Sequence, residues 1–350
     1  MNKNITINDR KIGLEHYPYI IAEMSANHNG SIENAFKIIE QAKNAGADAI
    51  KIQTYTADTL TIDSDLPDFR IDDGLWKGKT LHELYNWAHT PWEWHQDLFS
   101  YAKKLGITIF SSPFDNTAVD LLEELKTPAY KIASFEAVDI ALIRYVASTG
   151  KPMIISTGMA NDLEIEEAVN AANEGGCKEI ALLHCVSGYP APASEYNLRT
   201  IPDMLKRFNQ VTGISDHTLD NTTAISSISL GASIIEKHFT LDRSRGGPDD
   251  SFSLEESDLR ELCTNSRTAW DSLGKINYLR TSSEESNLKF RRSLYFVKDI
   301  KSGEKISNEN VRSIRPGYGL SPSKLESILG KVVIEDVFRG MPVTLDLLKD

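Results

Sequence analysis

The sequence alternates short apolar segments with amphipathic ones, and this alternation limits the fold more than any other feature. The short segments are rich in β-branched residues, as buried strands are, and the segments between them have apolar residues three or four positions apart, as helices do. Strict alternation predicts a parallel sheet, and eight repeats predict a closed (β/α)8 TIM barrel. The predicted strands are residues 19–24, 49–53, 108–111, 129–132, 153–156, 180–184, 211–215 and 233–238.

The structural alternative is an open, doubly wound sheet that binds a dinucleotide. That fold requires a glycine-rich GxGxxG turn after its first strand. Residues 24–30 read MSANHNG, which does not match the pattern. The barrel is therefore the favoured interpretation.

The chain has 350 residues, about 100 more than a typical barrel requires. A polar stretch at 280–286 indicates a linker, so we predict a barrel in residues 1–280, a linker at 281–288 and a small mixed domain at 289–350. Residues 286–350 include 12 basic and 8 acidic residues, whereas the rest of the chain is acidic. The opposite charges favour contact, and so small a domain is marginal alone, so we expect it to pack on the barrel or on a partner subunit.

Composition excludes several classes of protein. A formal net charge of −12 argues against non-specific nucleic-acid binding. No apolar run approaches the roughly 18–20 residues of a membrane helix, and the first residues lack the apolar core of a signal peptide. The three cysteines are odd in number and widely spaced, which fits buried thiols better than disulfide bridges or a zinc cluster. We expect a cytoplasmic protein with neither nucleic acid nor membrane as a partner.

Polar and ionisable side chains occur where the predicted strands end. In a barrel these carboxyl ends meet at one mouth, where barrel enzymes have their active sites. Charged residues on apolar strands are costly to bury unless they are paired. Their presence therefore indicates a function, and not only that the chain leaves the core at these points. The candidates are Glu23, Lys51, Gln53, Ser112, Lys131, Ser134, Glu136, Ser156, His184, Ser187, Tyr189, Ser215, Asp216, His217, Glu236, Lys237 and His238. The long interval at 58–94, rich in aspartate and aromatic residues, is typical of a substrate lid.

Lys51 and Lys131, with several serines, form a donor set suited to a phosphate together with a carboxylate. No P-loop is present, so a nucleoside triphosphate is not expected. His217 and His238 could hold one octahedral divalent ion such as Mn²⁺, or could be satisfied core residues. His184 and Cys185 are neighbours on one strand and point to opposite faces, which argues against a Cys–His nucleophile.

Eight motifs in order, from IAEMSANHNG, KIQT, YKIASFE and STGM to LLHC, SDHT, EKHFT and GGPD, resemble the nonulosonic (sialic) acid synthases over nearly the whole chain. The tail, with IRPGYG at 314–319, resembles their C-terminal SAF (antifreeze-protein-like) domain. The resemblance implies condensation of phosphoenolpyruvate with an open-chain amino sugar, which releases phosphate. It also implies a divalent metal (Mn²⁺, Mg²⁺ or Co²⁺) and a domain-swapped homodimer.

The family's functional residues carry over by motif. Phosphoenolpyruvate would be bound by Lys51, Ser112, Lys131, Ser134, Ser156, Ser187 and Ser215. The metal would be held by His217 and His238, and the sugar by Gln53, Glu136, Tyr189 and Asp249. Arg315 would reach the neighbouring subunit's site. Ser112 stands where threonine is usual, and Ser187 where asparagine is usual.

Within the family, the motifs MSANHNG, ASFE and GGPDDSFSLE are more similar to pseudaminic acid synthases than to neuraminate synthases. The implied acceptor is 2,4-diacetamido-2,4,6-trideoxy-L-altrose, with Phe135 and Phe252 as plausible neighbours of its methyl groups. Glu23 and Glu236 are the candidates to handle the proton of the attacking water. The alternatives are an N-acetylneuraminate, legionaminate or 3-deoxy-octulosonate synthase, and, from another class, a carbohydrate-binding module.

Overall fold

Eight parallel strands close into a barrel in the computed structural model, which describes residues 3–350. β10 pairs with both β9 and β3, so the sheet has no free edge. The predicted (β/α)8 barrel is confirmed. The strands are β1 (Ile5–Ile7), β2 (Arg10–Ile12), β3 (Tyr19–Glu23), β4 (Ala49–Thr54), β5 (Thr108–Pro113), β6 (Tyr130–Ile132), β7 (Met153–Ser156), β8 (Ile180–Cys185), β9 (Val211–Ser215), β10 (Ile234–His238), β11 (Ser293–Phe296), β12 (Val311–Ile314), β13 (Val332–Val333) and β14 (Leu348–Lys349).

Helices separate the barrel strands and cover them with their apolar faces. Several begin at a polar cap: the Ser31 side chain accepts a hydrogen bond from the Asn34 amide ahead of α1, and Thr80 forms a capping box ahead of α3. The helices are α1 (Ile32–Ala45), α2 (Ala57–Leu60), α3 (Leu81–Ala88), α4 (His95–Leu105), α5 (Asn116–Glu124), α6 (Ile140–Ser148), α7 (Asp162–Glu174), α8 (Thr200–Phe208), α9 (Thr222–Ile228), α10 (Glu256–Leu273), α11 (Ser282–Glu285) and α12 (Leu325–Ile328). No helix in residues 3–350 is long and apolar enough to cross a membrane.

An apolar cluster fills the amino-terminal half of the barrel interior. The hairpin of β1 and β2 contributes Ile5, Ile7 and Ile12 to this cluster, where they pack with side chains of the barrel strands such as Ile21 and Phe110. The hairpin therefore closes the end of the barrel that carries no polar strand ends. The polar strand ends lie at the opposite, carboxyl end.

The chain divides into two compact units, one ending at Gly274 and the other formed by Lys275–Asp350. The second unit contains β11 to β14 in two antiparallel pairs around its own apolar core, which includes Leu294, Phe296 and Val333. The domain limits given above, with a linker at 281–288, stay a prediction.

Candidate active site

The inner face of the barrel changes from apolar to charged along each strand. Tyr19 and Ile21 belong to the interior apolar cluster, and because side chains alternate along a strand, Glu23 points the same way. By the same alternation, Lys51 points inward like Ala49, and Glu236 points inward like Ile234. The strand ends thus add a polar layer directly above the apolar one. Its members are Glu23, Lys51, Gln53, Ser112, Lys131, Ser156, Cys185, Ser215, Glu236 and His238.

Two lysines and two glutamates form one buried ionic cluster in this layer. Lys51 Nζ lies 2.7 Å from Glu23 Oε2 and 3.6 Å from Glu236 Oε1. Lys131 Nζ donates to the same Glu236 Oε1 at 3.2 Å. All four side chains are at most 7% exposed. The other oxygen of Glu236, Oε2, is buried and has no hydrogen-bond partner among residues 3–350, so the cluster keeps an open acceptor.

The four groups of the cluster are not electrostatically equivalent. Burial lowers the pKa of Lys51, but Glu23 and Glu236 outweigh burial and raise it overall. Burial also lowers the pKa of Lys131, and there the attraction of Glu236 is too small to compensate. Burial raises the pKa of Glu23, whereas Lys131 and Lys51 bring that of Glu236 below its usual value. Lys131 is therefore the cation that would gain most from an added anion.

Serine hydroxyls lie in the same polar layer as the two lysines and at the strand ends beside it. Lys51 Nζ donates to Ser112 Oγ at 3.3 Å, and the Gly158 amide donates to Ser134 Oγ at 3.2 Å. The Ser156 hydroxyl is buried without a hydrogen-bond partner in the described chain. Ser215, at the end of β9, is also buried. These groups form a cradle of donors of the kind that holds anionic oxygens.

Gly158 has no room for a side chain. A Cβ atom there would lie 2.3 Å from Ser187 Oγ and 2.8 Å from Ser134 Oγ. Both distances are below van der Waals contact, so a side chain at this position would displace the two hydroxyls. The two serines come from different strand ends and meet only in the folded barrel.

His217 and His238 lie side by side, with ring centroids 5.5 Å apart. His217 Nδ1 donates to the Val186 carbonyl at 2.8 Å, which leaves Nε2 as the nitrogen for a further partner. Burial lowers the pKa of His217, but the neighbouring Cys185 thiol raises it overall. Burial, then the neighbouring His217 and Lys51, lower the pKa of His238, and its Nδ1 has no hydrogen-bond partner in residues 3–350. Tyr189 packs against both rings, with centroid distances of 4.4 and 6.1 Å.

Two adjacent imidazoles fit a divalent ion such as Mn²⁺ when both rings are neutral. Across residues 3–350, however, His, Cys, Asp and Glu side chains nowhere form a group of three or more suited to a metal. The protein would therefore supply only two ligands, and oxygens of water and substrate would fill the other positions.

A cavity of about 500 Å³ opens above the ionic cluster. Seven of the predicted site residues line it: Gln53, Ser134, Glu136, Ser187, Tyr189, His238 and Asp249. Burial raises the pKa of Glu136 to about 7, and its Oε2 has no hydrogen-bond partner in the described residues. Burial also raises the pKa of Asp249, which accepts a hydrogen bond from Ser25 at 2.5 Å. The cavity thus carries polar groups at its floor.

Several functional candidates were not found from the sequence. Ser25 donates to Asp249 and accepts from Gln53 Nε2 at 3.1 Å, so it joins two predicted sugar contacts. Its place directly after β3 was the available signal. Tyr55, Trp76 and Tyr85 also line the cavity, and all three belong to the predicted lid or the residues just before it.

Some candidate residues lie elsewhere. Lys237 points away from the interior and donates to Asp216 Oδ2 at 2.8 Å, in a buried structural pair. His184 bonds to the Tyr196 carbonyl outside the barrel, while Cys185 points inward. Phe135 lines the cavity, but Phe252 is buried behind it against Tyr189 and His238.

Arg315 belongs to the second unit and not to the barrel. It follows β12, and its side chain is exposed. Its role in a neighbouring subunit's site stays a prediction.

The fold and site together define a class of protein: a barrel enzyme with a buried lysine–glutamate cluster, a histidine pair and a cavity with polar groups at its floor. Comparison with known sequences places the chain within this class. A model of the NeuB family matches residues 38–278, and a model of the SAF domain matches residues 291–349. The chain belongs to the NeuB family and carries a SAF domain, which confirms the resemblance found in the motifs.

Individual relatives agree with this assignment. Pseudaminic acid synthase from Campylobacter jejuni subsp. jejuni is 44% identical over 322 residues, 92% of this chain and 94% of that protein. Pseudaminic acid synthase from Helicobacter pylori is 39% identical over 330 residues, 94% of this chain and 97% of that protein. A crystal structure of N-acetylneuraminic acid synthetase from Leptospira borgpetersenii in complex with citrate superposes with a TM-score of 0.74 at 30% identity. It covers 83% of this chain and 97% of that one.

Proposed function

We propose that this enzyme is a pseudaminic acid synthase. It condenses phosphoenolpyruvate with 2,4-diacetamido-2,4,6-trideoxy-L-altrose and water to give pseudaminic acid and phosphate. The observation that carries the proposal is the buried Lys51, Lys131, Glu23 and Glu236 cluster beneath a sugar-sized cavity with polar groups at its floor. The identity to two pseudaminic acid synthases supports the choice of acceptor.

Lys51 and Lys131 hold the phosphate and carboxylate of phosphoenolpyruvate. The ligand is triply charged, and it enters a cluster in which two lysines are already balanced by two carboxylates. Burial disfavours the charged form of Glu23 and raises its pKa, so Glu23 is the carboxylate that least opposes the incoming anion. Hydroxyls of Ser112, Ser134, Ser156, Ser187 and Ser215 complete the cradle.

Gln53, Glu136, Tyr189 and Asp249 orient the open-chain sugar above phosphoenolpyruvate. A divalent ion held by His217 and His238 would polarise the sugar aldehyde as a Lewis acid. Because both substrates are held in contact, positioning supplies much of the rate. The polar floor of the cavity brings the aldehyde end of the sugar toward the reacting alkene.

The bond changes balance as follows. C3 of phosphoenolpyruvate attacks the aldehyde carbon and forms the new C–C bond, while the aldehyde oxygen becomes a hydroxyl. Water adds to C2, and the resulting tetrahedral centre loses phosphate by cleavage of its C–O bond, which leaves the keto acid. Glu23 and Glu236 are the candidates to accept the proton of the water, which balances the proton that the aldehyde oxygen takes up.

The same proposal covers the assembly. We propose a domain-swapped homodimer in the cytoplasm, in which Arg315 of the SAF domain acts at the neighbouring subunit's site. The exposed side chain of Arg315 is available for such a contact.

Isotope labelling tests the C–O cleavage. Phosphoenolpyruvate with ¹⁸O in the bridging C–O–P position should give labelled phosphate and unlabelled keto acid, because the C–O bond breaks. Mass spectrometry of both products is the measurement. Retention of the label in the keto acid would contradict this scheme and indicate P–O cleavage.

Gly158→Ala should weaken phosphoenolpyruvate binding. The added methyl would displace the Ser134 and Ser187 hydroxyls, and overpacking of this size typically costs about 1–3 kcal/mol. We expect KM for phosphoenolpyruvate to rise about tenfold, measured by steady-state phosphate release. Gly188→Ala is the matched control, because its nearest contact would be an ordinary 3.5 Å. An unchanged KM in Gly158→Ala would show that the two serines do not bind phosphoenolpyruvate.

The related candidate is a neuraminate or legionaminate synthase, which would use a mannose-type amino sugar. Incubation with phosphoenolpyruvate, Mn²⁺ and each acceptor, followed by phosphate measurement, separates the three. Turnover with N-acetylmannosamine alone would overturn the pseudaminate assignment.

A further inference from the structure

The segment between β4 and α4, residues 55–94, forms one side of the cavity and is called the lid here. Its contribution is mainly apolar, from Leu60, Ile71, Trp76, Leu81 and Leu84, and these five residues are called the lid wall. The opposite side provides the polar groups of Gln53, Ser134, Glu136, Ser187 and Asp249, with Phe114 and Phe135 beside them. A ligand that fills the cavity must therefore present polar groups to the floor and apolar groups to the lid wall.

Both ends of the lid are fixed to the barrel. Trp92 Nε1 donates to the Tyr55 carbonyl at 3.1 Å, so the last part of the lid holds its first residue. His95 bonds to the Thr54 hydroxyl at 2.9 Å and to the Pro91 carbonyl at 3.1 Å. The Trp92–Tyr55 and His95–Thr54 contacts join positions about 37 and 41 residues apart. The two ends of the lid are therefore held together independently of any ligand.

The tip of the lid is held across the cavity mouth. Ile71 and Lys79 are joined by a backbone hydrogen bond of 2.9 Å, and this turn carries Trp76. Trp76 Nε1 donates to the Pro248 carbonyl at 3.0 Å, in the loop that also carries Asp249. Its ring lies 6.1 Å from that of Tyr189. Trp76 therefore links the lid to the side of the barrel that provides the sugar contacts.

We propose that the lid wall selects the acceptor, preferring an amino sugar whose terminal carbon is a methyl group to one that ends in a hydroxymethyl group. In this arrangement the Trp76–Pro248 hydrogen bond positions the wall. The inference rests on the proposed function, because it assigns part of the acceptor's specificity to residues that the reaction itself does not require.

The chemistry of the wall gives the reason. A hydroxyl placed against Ile71, Leu81 and Leu84 loses water and finds no polar partner in their side chains, whereas a methyl group gains by burial. The lid also brings three polar groups to the cavity: Asp73, which is exposed, and the hydroxyls of Tyr55 and Tyr85, the second of which is influenced by Glu136 on the floor. Discrimination of this kind is typically about tenfold to a hundredfold.

The test uses a pair of acceptors that differ at one position, 2,4-diacetamido-2,4,6-trideoxy-L-altrose and its 6-hydroxy counterpart. The full-length enzyme should show a kcat/KM about tenfold to a hundredfold higher for the methyl sugar. Ile71→Thr keeps the β-branched shape and adds a hydroxyl, so this ratio should fall to within about threefold of unity. Trp76→Phe keeps an aromatic ring but loses the hydrogen bond to Pro248, so KM for the sugar should rise and the ratio should fall.

Leu75→Ala is the control, because Leu75 adjoins Trp76 but is 54% exposed and does not line the cavity. It should keep the parent ratio, and KM for phosphoenolpyruvate should stay unchanged in all three variants. Equal use of both sugars by the parent enzyme would overturn the inference, as would unchanged ratios in Ile71→Thr and Trp76→Phe. In either case, phosphate release would still support the proposed function. Failure of the parent enzyme to release phosphate with either sugar would overturn both proposals.

Discussion

Lys131→Met should abolish most activity, with kcat/KM for phosphoenolpyruvate reduced about 100-fold or more. Methionine retains much of the side-chain volume, so the change removes mainly the charge. Lys131 Nζ is 3.2 Å from Glu236 and almost fully buried, and loss of one partner in such a pair typically costs about 2–5 kcal/mol. The substitution also removes one of the two cations that balance Glu236. This leaves excess negative charge at the position where a trianion must bind. Steady-state phosphate release and calorimetric titration with phosphoenolpyruvate measure the two effects.

Lys104→Met is the control for this prediction. Lys104 is exposed on α4, and its loss should leave turnover unchanged. Circular dichroism should show that Lys131→Met remains folded, since Lys51 still lies 3.6 Å from Glu236. A folded Lys131→Met variant with normal affinity for phosphoenolpyruvate would refute the assignment of the cluster as its binding site. That result would also favour a carbohydrate-binding module, which requires no such cation.

The period-two alternation of the strands explains why so much of the site was predictable. Glu23, Lys51 and Glu236 are each two positions beyond an apolar residue that faces the barrel interior, so eight strand ends determine one polar layer. The same rule separates Cys185 from His184. Once the strands were recognised, closure of the barrel followed from their number.

The contacts of the lid could not be predicted in the same way. Trp76 and Pro248 are 172 positions apart, and Trp76 lies in an irregular segment with no periodic pattern. Ser25 was missed for a related reason, because it lies beyond β3 in a turn and its partner Asp249 is 224 positions away. Local periodicity determines which face a strand residue occupies, but loop residues depend on tertiary contacts. The length of the interval between two strands predicted where the lid is. Its apolar wall could be recognised only in the folded structure.

Separate alanine substitutions of His217 and His238 should each reduce kcat about 100-fold or more and weaken binding of Mn²⁺. With two imidazoles proposed as the protein's ligands, loss of either removes half of the protein's contribution. His217 is already oriented by its Nδ1 hydrogen bond to Val186, so its Nε2 is the atom whose loss should matter. Electron paramagnetic resonance of free Mn²⁺ measures affinity independently of turnover, and phosphate release measures kcat.

His16→Ala separates a specific effect from the loss of any histidine. His16 lies in the turn between β2 and β3, at the opposite end of the barrel from the cavity, so both Mn²⁺ affinity and turnover should match the parent enzyme. The two readouts also distinguish a metal ligand from a packing residue. A packing role, in which His238 only supports Tyr189, would lower kcat without changing Mn²⁺ affinity. Full activity of chelator-treated His217→Ala or His238→Ala would refute the metal site, because the aldehyde would then be activated by the chain's own donors.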